Sequence, residues 1–128
     1  MNVKNPIITS ESSDPLGTYS QAIRSGDMVF ISAQSPIIPA TGEMIKGTVE
    51  DHIRQSFENV KAVAIAAGGE CDKIVKVTIF LTSLANFSIA NKVMGGFFTK
   101  PYPARTTIEV SALPEGAYAE IDAIMHLT

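Results

Sequence analysis

The sequence predicts an α+β domain with two helices on one face of a mixed sheet. Three observations carry this. Residues 49–67 hold one apolar stripe at helical spacing. Residues 73–82 and 117–127 alternate with the two-residue period of strands, and turns rich in glycine and proline separate the segments. The 128 residues fit a single domain, 1–128, and a hydrophobic content of 45% excludes a disordered chain.

Residues 11–18, ESSDPLGT, predict a surface loop. A hairpin follows, with strands near 19–24 and 28–34 around Ser25-Gly26-Asp27, where glycine supplies the positive φ of a tight turn. Pro36, Pro39 and Thr41-Gly42 then open a loop. In the first helix Val49, Ile53, Phe57, Val60, Ala64 and Ala67 form the stripe. Thr48 caps it, Glu50 and Asp51 suit its positive end, and Gly68-Gly69 stops it.

In the strand over 73–82, Val75, Val77, Ile79 and Leu81 face one way, and Ile74, Lys76, Thr78 and Phe80 the other. The second helix, 86–98, shows Phe87, Ala90, Met94 and Phe97 on one side; Gly95-Gly96 within it means either close backbone packing or an early end. Strands over 105–111 and 117–127, joined by Leu113-Pro114-Glu115-Gly116, predict a closing hairpin. Thr106, Ile108 and Val110 are expected to meet the helices. That leaves Arg105, Thr107 and Glu109, with Glu120 and Asp122 of the last strand, on the second face, where they meet water or line a cleft.

A net charge of −3 gives no field for drawing in nucleic acid or anionic lipid, and no apolar run approaches the roughly 20 residues that span a bilayer. The N-terminal MNVKNPIITSESS has no apolar core of a signal peptide, and the single Cys71 fits a reducing compartment, so the expected location is cytoplasmic. No dinucleotide fingerprint, phosphate loop, GxSxG elbow or CxxC pair is present. His52 and His126 lie far apart and Cys71 sits at a strand entrance; no metal, cofactor or reactive thiol is expected.

Arg105 is the exception. It follows two prolines in PYPARTTIEV, at an otherwise apolar strand entry, and an arginine there is costly to bury without an anionic partner. The residues leave open whether that partner is Glu109 or Glu120 of the chain or a bound anion. Glu120 likewise interrupts the strand-like run AYAEIDAIM with a charge.

The segment Pro101–Ile124, PYPARTTIEVSALPEGAYAEIDAI, strongly resembles the C-terminal signature of the RidA/YjgF family of reactive intermediate deaminases. Further matches are Gly17-Thr18-Tyr19-Ser20-Gln21-Ala22, Ile31-Ser32-Ala33-Gln34, Thr41-Gly42-Glu43, Gln55-Ser56-Phe57-Glu58-Asn59-Val60, and Asn91 followed by Phe97-Phe98. They run in order along nearly the whole chain. The resemblance implies a chorismate-mutase-like trimer, its sheets meeting in a central barrel with three clefts between subunits. It also implies hydrolysis of enamine and imine intermediates, such as 2-aminoacrylate and 2-iminopropanoate, to 2-oxoacids and ammonia.

Carried over by position, Arg105 resembles the guanidinium that grips the substrate carboxylate, and Glu120 the group that activates water. The Thr107 backbone resembles a further holder of that water or of the imine nitrogen. Tyr19, Ser32 and Asn91 match pocket positions. The chain departs from the usual pattern at Thr18 (commonly Pro), Ala33 (Gly), Thr107 (Cys) and Met94 (aromatic), and at Gly95-Gly96. Two other readings are a non-catalytic metabolite-binding or regulatory trimer that uses the same cleft, and an RNA-acting protein, which the acidic balance disfavours.

Overall fold

The computed structural model describes residues 3–128. Its strands are β1 (Asn5–Ile7), β2 (Ala22–Ser25), β3 (Met28–Gln34), β4 (Ile37–Ile38), β5 (Glu43–Met44), β6 (Ile74–Leu81), β7 (Ala104–Glu109) and β8 (Ala119–His126), with helices α1 (Val49–Ala66) and α2 (Phe87–Met94). Six strands form a sheet in the order β1-β2-β3-β8-β6-β7, and β4 and β5 make a small hairpin of their own. Every pair in the large sheet is antiparallel except β6 and β7, so the sheet is mixed, as the sequence predicts.

The α1 stripe works as expected. Ile53, Phe57, Val60, Val63 and Ala64 are buried against the sheet's Val29, Ile31, Ile79, Ile121 and Met125. Thr48 accepts the Asp51 N–H and the Asp51 carboxylate accepts the Thr48 N–H, which satisfies two donors that a helix N-terminus leaves without partners. At the other end the two glycines do different jobs. Gly68, at φ +95°, turns the chain out of the helix. A Cβ on Gly69 would lie 2.6 Å from Met125 Sδ, so a side chain there would displace the ends of the Met125 and Leu127 side chains.

Three expectations are corrected. The last two strands are not a hairpin: β8 is inserted between β3 and β6, and β7 lies at the far edge, parallel to β6. A parallel neighbour needs a crossover, and α2 supplies it, so β7 belongs with β6 rather than with the strand that follows it. Most of β8 is buried, which fits a central strand.

The β6 faces also differ. A bulge between Ile74 and Lys76 expels Val75, so Ile74 joins Val77, Ile79 and Leu81 in the core. Finally α2 ends at Met94, and Gly95-Gly96 is an early stop, with Phe97 stacking on Phe57 at 5.1 Å between ring centres and Phe98 meeting it edge to face at 5.9 Å.

The three-residue β1 and the β4–β5 hairpin have no counterpart in the sequence expectations. Among the described residues no helix is long and apolar enough to cross a membrane.

Because the capping box closes α1 without further support, Thr48→Ala should lower stability by about 1 kcal/mol. Thermal melts of the two proteins check this; an unchanged Tm would show that other contacts hold the helix end.

Candidate functional site

Strand pairing decides which face each predicted residue occupies. On β7, Arg105 is level with Val77 and Thr107 with Ile79. Val77 and Ile79 are fully buried under the helices, so Arg105 and Thr107 point to the helix side, and Thr106 and Ile108 point away. This reverses the face expected for Arg105 and Thr107. The cause is edge position: at the end of the sheet the helix layer runs out, so a long cation there reaches solvent while its stem packs on α2.

The guanidinium has no carboxylate partner among the described residues. Arg105 Nη1 lies 3.6 Å from Met94 Sδ, and the group sits over the Phe87 ring, 5.1 Å from its centre. Neither acid of the chain that the sequence allows as a partner fills that role. Glu109 accepts the Leu84 N–H at 2.9 Å, and Glu120 lies on the opposite face of the sheet.

Arg105, Asn91, Met94, Gly95, Tyr102 and Pro103 line a pocket of about 380 Å³. Beside it, the buried Thr107 hydroxyl has no hydrogen-bond partner. The Val110 N–H donates to Leu81 O, so the alternation of the strand sends the Arg105 and Thr107 N–H groups toward the free edge. A half-buried cation and outward N–H donors beside a pocket make an anion-binding arrangement.

Glu120 stands elsewhere. It is level with Phe80 on β6, on the face away from the helices, yet is only 8% exposed. Burial raises its pKa above the ordinary carboxylate value, and a hydrogen bond from Ser35 opposes that. Ser32, on β3, shares this face; its hydroxyl donates to Ser20 O and its N–H to Gln21 O. Those bonds anchor the segment carrying Tyr19, an exposed ring whose hydroxyl accepts the Leu16 N–H.

The predicted residues therefore fall into two sets. Asn91, Arg105 and Thr107 lie around α2 and the β7 edge; Tyr19, Ser32 and Glu120 lie around β3 and β8. One strand, β6, separates β7 from β8, a span of about 10 Å between strands, and the two sets face opposite sides.

Phe87, Ser35 and the Met94 contact complete the arrangement. Phe87 was legible only as a member of a helix stripe, and Met94 as a stripe member and as a departure from the family's usual aromatic. Ser35 carries no local signal, because the β3 bulge that turns it toward Glu120 is not visible in the alternation.

A larger cavity of about 560 Å³ lies between α1 and α2. It is lined by charges of both signs, including Arg54, Glu58, Lys61 and Lys92, with Cys71 and Phe97, and holds none of the predicted residues. Burial pushes the Cys71 thiol pKa up. Among the described residues no three His, Cys, Asp or Glu side chains gather as a metal site.

A mixed sheet of this topology with both helices on one face defines a class of small α+β domains, and the comparisons resolve the class further. Residues 9–127 match the family model described as Endoribonuclease L-PSP, and the chain belongs to that family, the RidA/YjgF family that its C-terminal signature resembles. It is 47% identical to a RutC family protein of Sinorhizobium fredii, over 96% of this chain and 98% of that one. It is 40% identical to a 2-iminobutanoate/2-iminopropanoate deaminase of Dermatophagoides farinae, covering 98% of each. The crystal structure of Escherichia coli TdcF with bound serine superposes with a TM-score of 0.92 at 40% identity, over 98% of this chain and all of that one.

His52, only 4% exposed, accepts the Tyr118 N–H at 3.2 Å and packs on its ring, which fixes the entry to β8 two residues before Glu120. Burial holds its pKa below the usual 6.5, against a hydrogen bond to the Ile45 backbone. The unfolded chain binds this proton more readily, so the contribution of His52 is complete above about pH 6.5 and is lost as pH falls through the lowered folded value. His52→Gln, whose amide oxygen can accept the same N–H, should flatten the decline in Tm below pH 6.5; an unaltered decline would place its origin elsewhere.

Proposed function

We propose that this protein hydrolyses 2-iminocarboxylates, such as 2-iminopropanoate, to 2-oxoacids and ammonia. The observation that carries the reading is the Arg105 guanidinium, half-buried at a pocket and lacking any carboxylate partner among the described residues. A planar carboxylate matches its two parallel donors, and the neutral surroundings of Phe87 and Met94 leave those donors unsatisfied until an anion arrives. The relatives support this reading: the Dermatophagoides protein is named for such a reaction. The serine in the TdcF structure carries the carboxylate and adjacent nitrogen common to these substrates.

In the proposed reaction the carboxylate binds Arg105, and the Thr107 N–H holds the imine nitrogen or the water. Glu120 takes a proton from water as its oxygen bonds to the C=N carbon. That proton passes to nitrogen to give a carbinolamine; its hydroxyl proton then also passes to nitrogen as the C–N bond breaks, and ammonia leaves a 2-oxoacid. A raised pKa brings Glu120 nearer the working pH, which suits a general base.

The two residue sets require a second chain. Arg105 and Glu120 of one protomer cannot reach a common small substrate across β6 and the sheet. We infer a cyclic homotrimer in which the β7 edge of one copy meets the β3–β8 face of the next, the head-to-tail contact that closes rings. The apolar Phe30 and Ile108, exposed on that face, fit such burial.

The family description names an endoribonuclease. With 10 basic against 13 acidic residues the chain offers no general field for RNA, and the reading here is deamination in the cytoplasm. The serine-bound relative also supports a second reading, a non-catalytic binder of small amino or imino acids at the same pocket. Imine decay in an amino-acid oxidase assay, with and without the protein, separates the two.

Arg105→Ala should keep the fold, with a loss below about 2 kcal/mol because no buried carboxylate is orphaned, while kcat/KM falls at least about a hundredfold. Arg105→Lys should recover only part of the activity, since a point charge attracts the carboxylate without orienting it. Calorimetry and the imine assay on both variants check this; a folded, fully active alanine variant would sink the assignment.

The shared site makes a separate prediction. Light scattering should return three chains per particle, and mixed trimers of Arg105→Ala and Glu120→Gln chains, each inactive alone, should regain activity. Mixing that restores nothing, although mixed trimers form, would place both residues in a site built from one chain.

A further inference from the structure

Glu120 makes one hydrogen bond among the described residues: the Ser35 hydroxyl donates to its Oε2 at 2.7 Å. Its Oε1 has no such partner. Ser35 is 85 positions away in sequence and its own place is fixed from below. Asn59 of α1, 1% exposed, donates through Nδ2 to Ser35 O at 3.0 Å and to Ile37 O at 2.9 Å. Gln55 Nε2 holds the Asn59 Oδ1 in turn, at 3.0 Å. A half-buried chain of hydrogen bonds thus runs from Gln55 and Asn59 of α1 through Ser35 to the carboxylate.

The geometry assigns Ser35 as the positioning residue of Glu120: its hydroxyl ties Oε2, sets the plane of the carboxylate and leaves Oε1 as the free acceptor for water. The assignment rests on the deaminase reading for its role in turnover, though the contact itself does not. A carboxylate with one oxygen tied loses its freedom to rotate, and a water on the other oxygen then has one direction of approach.

The same bond governs the charge of the group. Burial favours the neutral acid and the Ser35 donor favours the anion, so the hydroxyl keeps the base deprotonated at lower pH than burial alone would allow. The titratable groups sharing this face are Asp122, two positions along β8, His126 at the far end of that strand, and Lys76 on β6, whose ammonium donates to Thr106 Oγ1 and Val77 O. Beside Glu120, β3 presents Ser32 and β7 presents Thr106 and Ile108, none of which titrates.

Ser35→Ala and Ser35→Thr test the assignment with two readouts. Ser35→Ala should lower kcat roughly tenfold with KM within about twofold, and move the acid limb of the kcat profile to higher pH by roughly one unit. Ser35→Thr, which keeps the hydroxyl, should restore both. A residue serving only the fold would change the folded fraction and move neither the limb nor the ratio of kcat to KM.

The second readout needs no turnover: a carbon-13 titration of the Glu120 carboxyl should show its midpoint rise in Ser35→Ala and return in Ser35→Thr. An unchanged midpoint with unchanged kcat overturns the assignment. If the wild-type protein hydrolyses no imine, the deaminase reading falls by itself, and the carboxyl titration still decides for or against Ser35.

Discussion

Parallel pairing of β7 with β6 is the constraint on which the site depends. It puts Arg105 level with Val77, on the helix side, while antiparallel pairing of β8 with β6 puts Glu120 level with Phe80, on the other. Had β7 and β8 formed the hairpin that their short connection suggests, the strands would be neighbours, and the arginine and glutamate would need only matching register to meet. The crossover through α2 prevents this. It also brings Phe87 and Met94, at the two ends of that helix, against the guanidinium, so the element that carries the chain to the sheet edge also supplies the surface on which the cation rests.

Arg105 is tolerable without a partner because it is not fully buried. A deeply buried lone charge costs several kcal/mol even after relaxation. At the sheet edge the head group keeps access to solvent, and a ring face contributes about 0.5–1 kcal/mol at exposed sites. These terms suit a cation that must be ready for a ligand. An internal ion pair would satisfy the same charge more cheaply and leave it unavailable, and Glu109, on the same strand, is turned to the Leu84 N–H instead.

How much of this was legible in the sequence depended on the range of the interactions involved. The α1 boundaries, its cap and its buried stripe are local, and the chain shows them directly: Thr48, the residues three and four apart, and Gly68. The β2–β3 hairpin around Gly26 is equally local. What failed was long-range. Alternation in 105–111 shows that two faces exist, but the slightly more apolar set, Thr106, Ile108 and Val110, turned out to be the one away from the helices. On an edge strand neither face is deeply buried, so composition there is a weak guide. The bulges at Val75 and after Ile31 each shift the period by one residue, which no count of alternating positions foresees. Arg105 and Glu120 were found as chemistry, charges interrupting strand-like runs; their placement on opposite faces was not.

That placement has a consequence for the acid–base chemistry proposed here. A carboxylate bound directly to an arginine is stabilised as the anion, its pKa falls, and it becomes a poor base near neutral pH. With the two residues on opposite faces of one chain, Arg105 cannot quench Glu120 within a protomer. In the proposed trimer, two copies would bring their halves together and the substrate carboxylate would occupy the guanidinium and take up its charge, so the glutamate would face a neutralised cation rather than a free one. Glu120 then keeps the balance set by its own surroundings, burial raising its proton affinity and the Ser35 hydroxyl restraining the rise. An active site divided between protomers, as proposed, would hold a strong cation and an unquenched base within reach of one small molecule, which a single sheet face carrying both side chains would convert into a salt bridge.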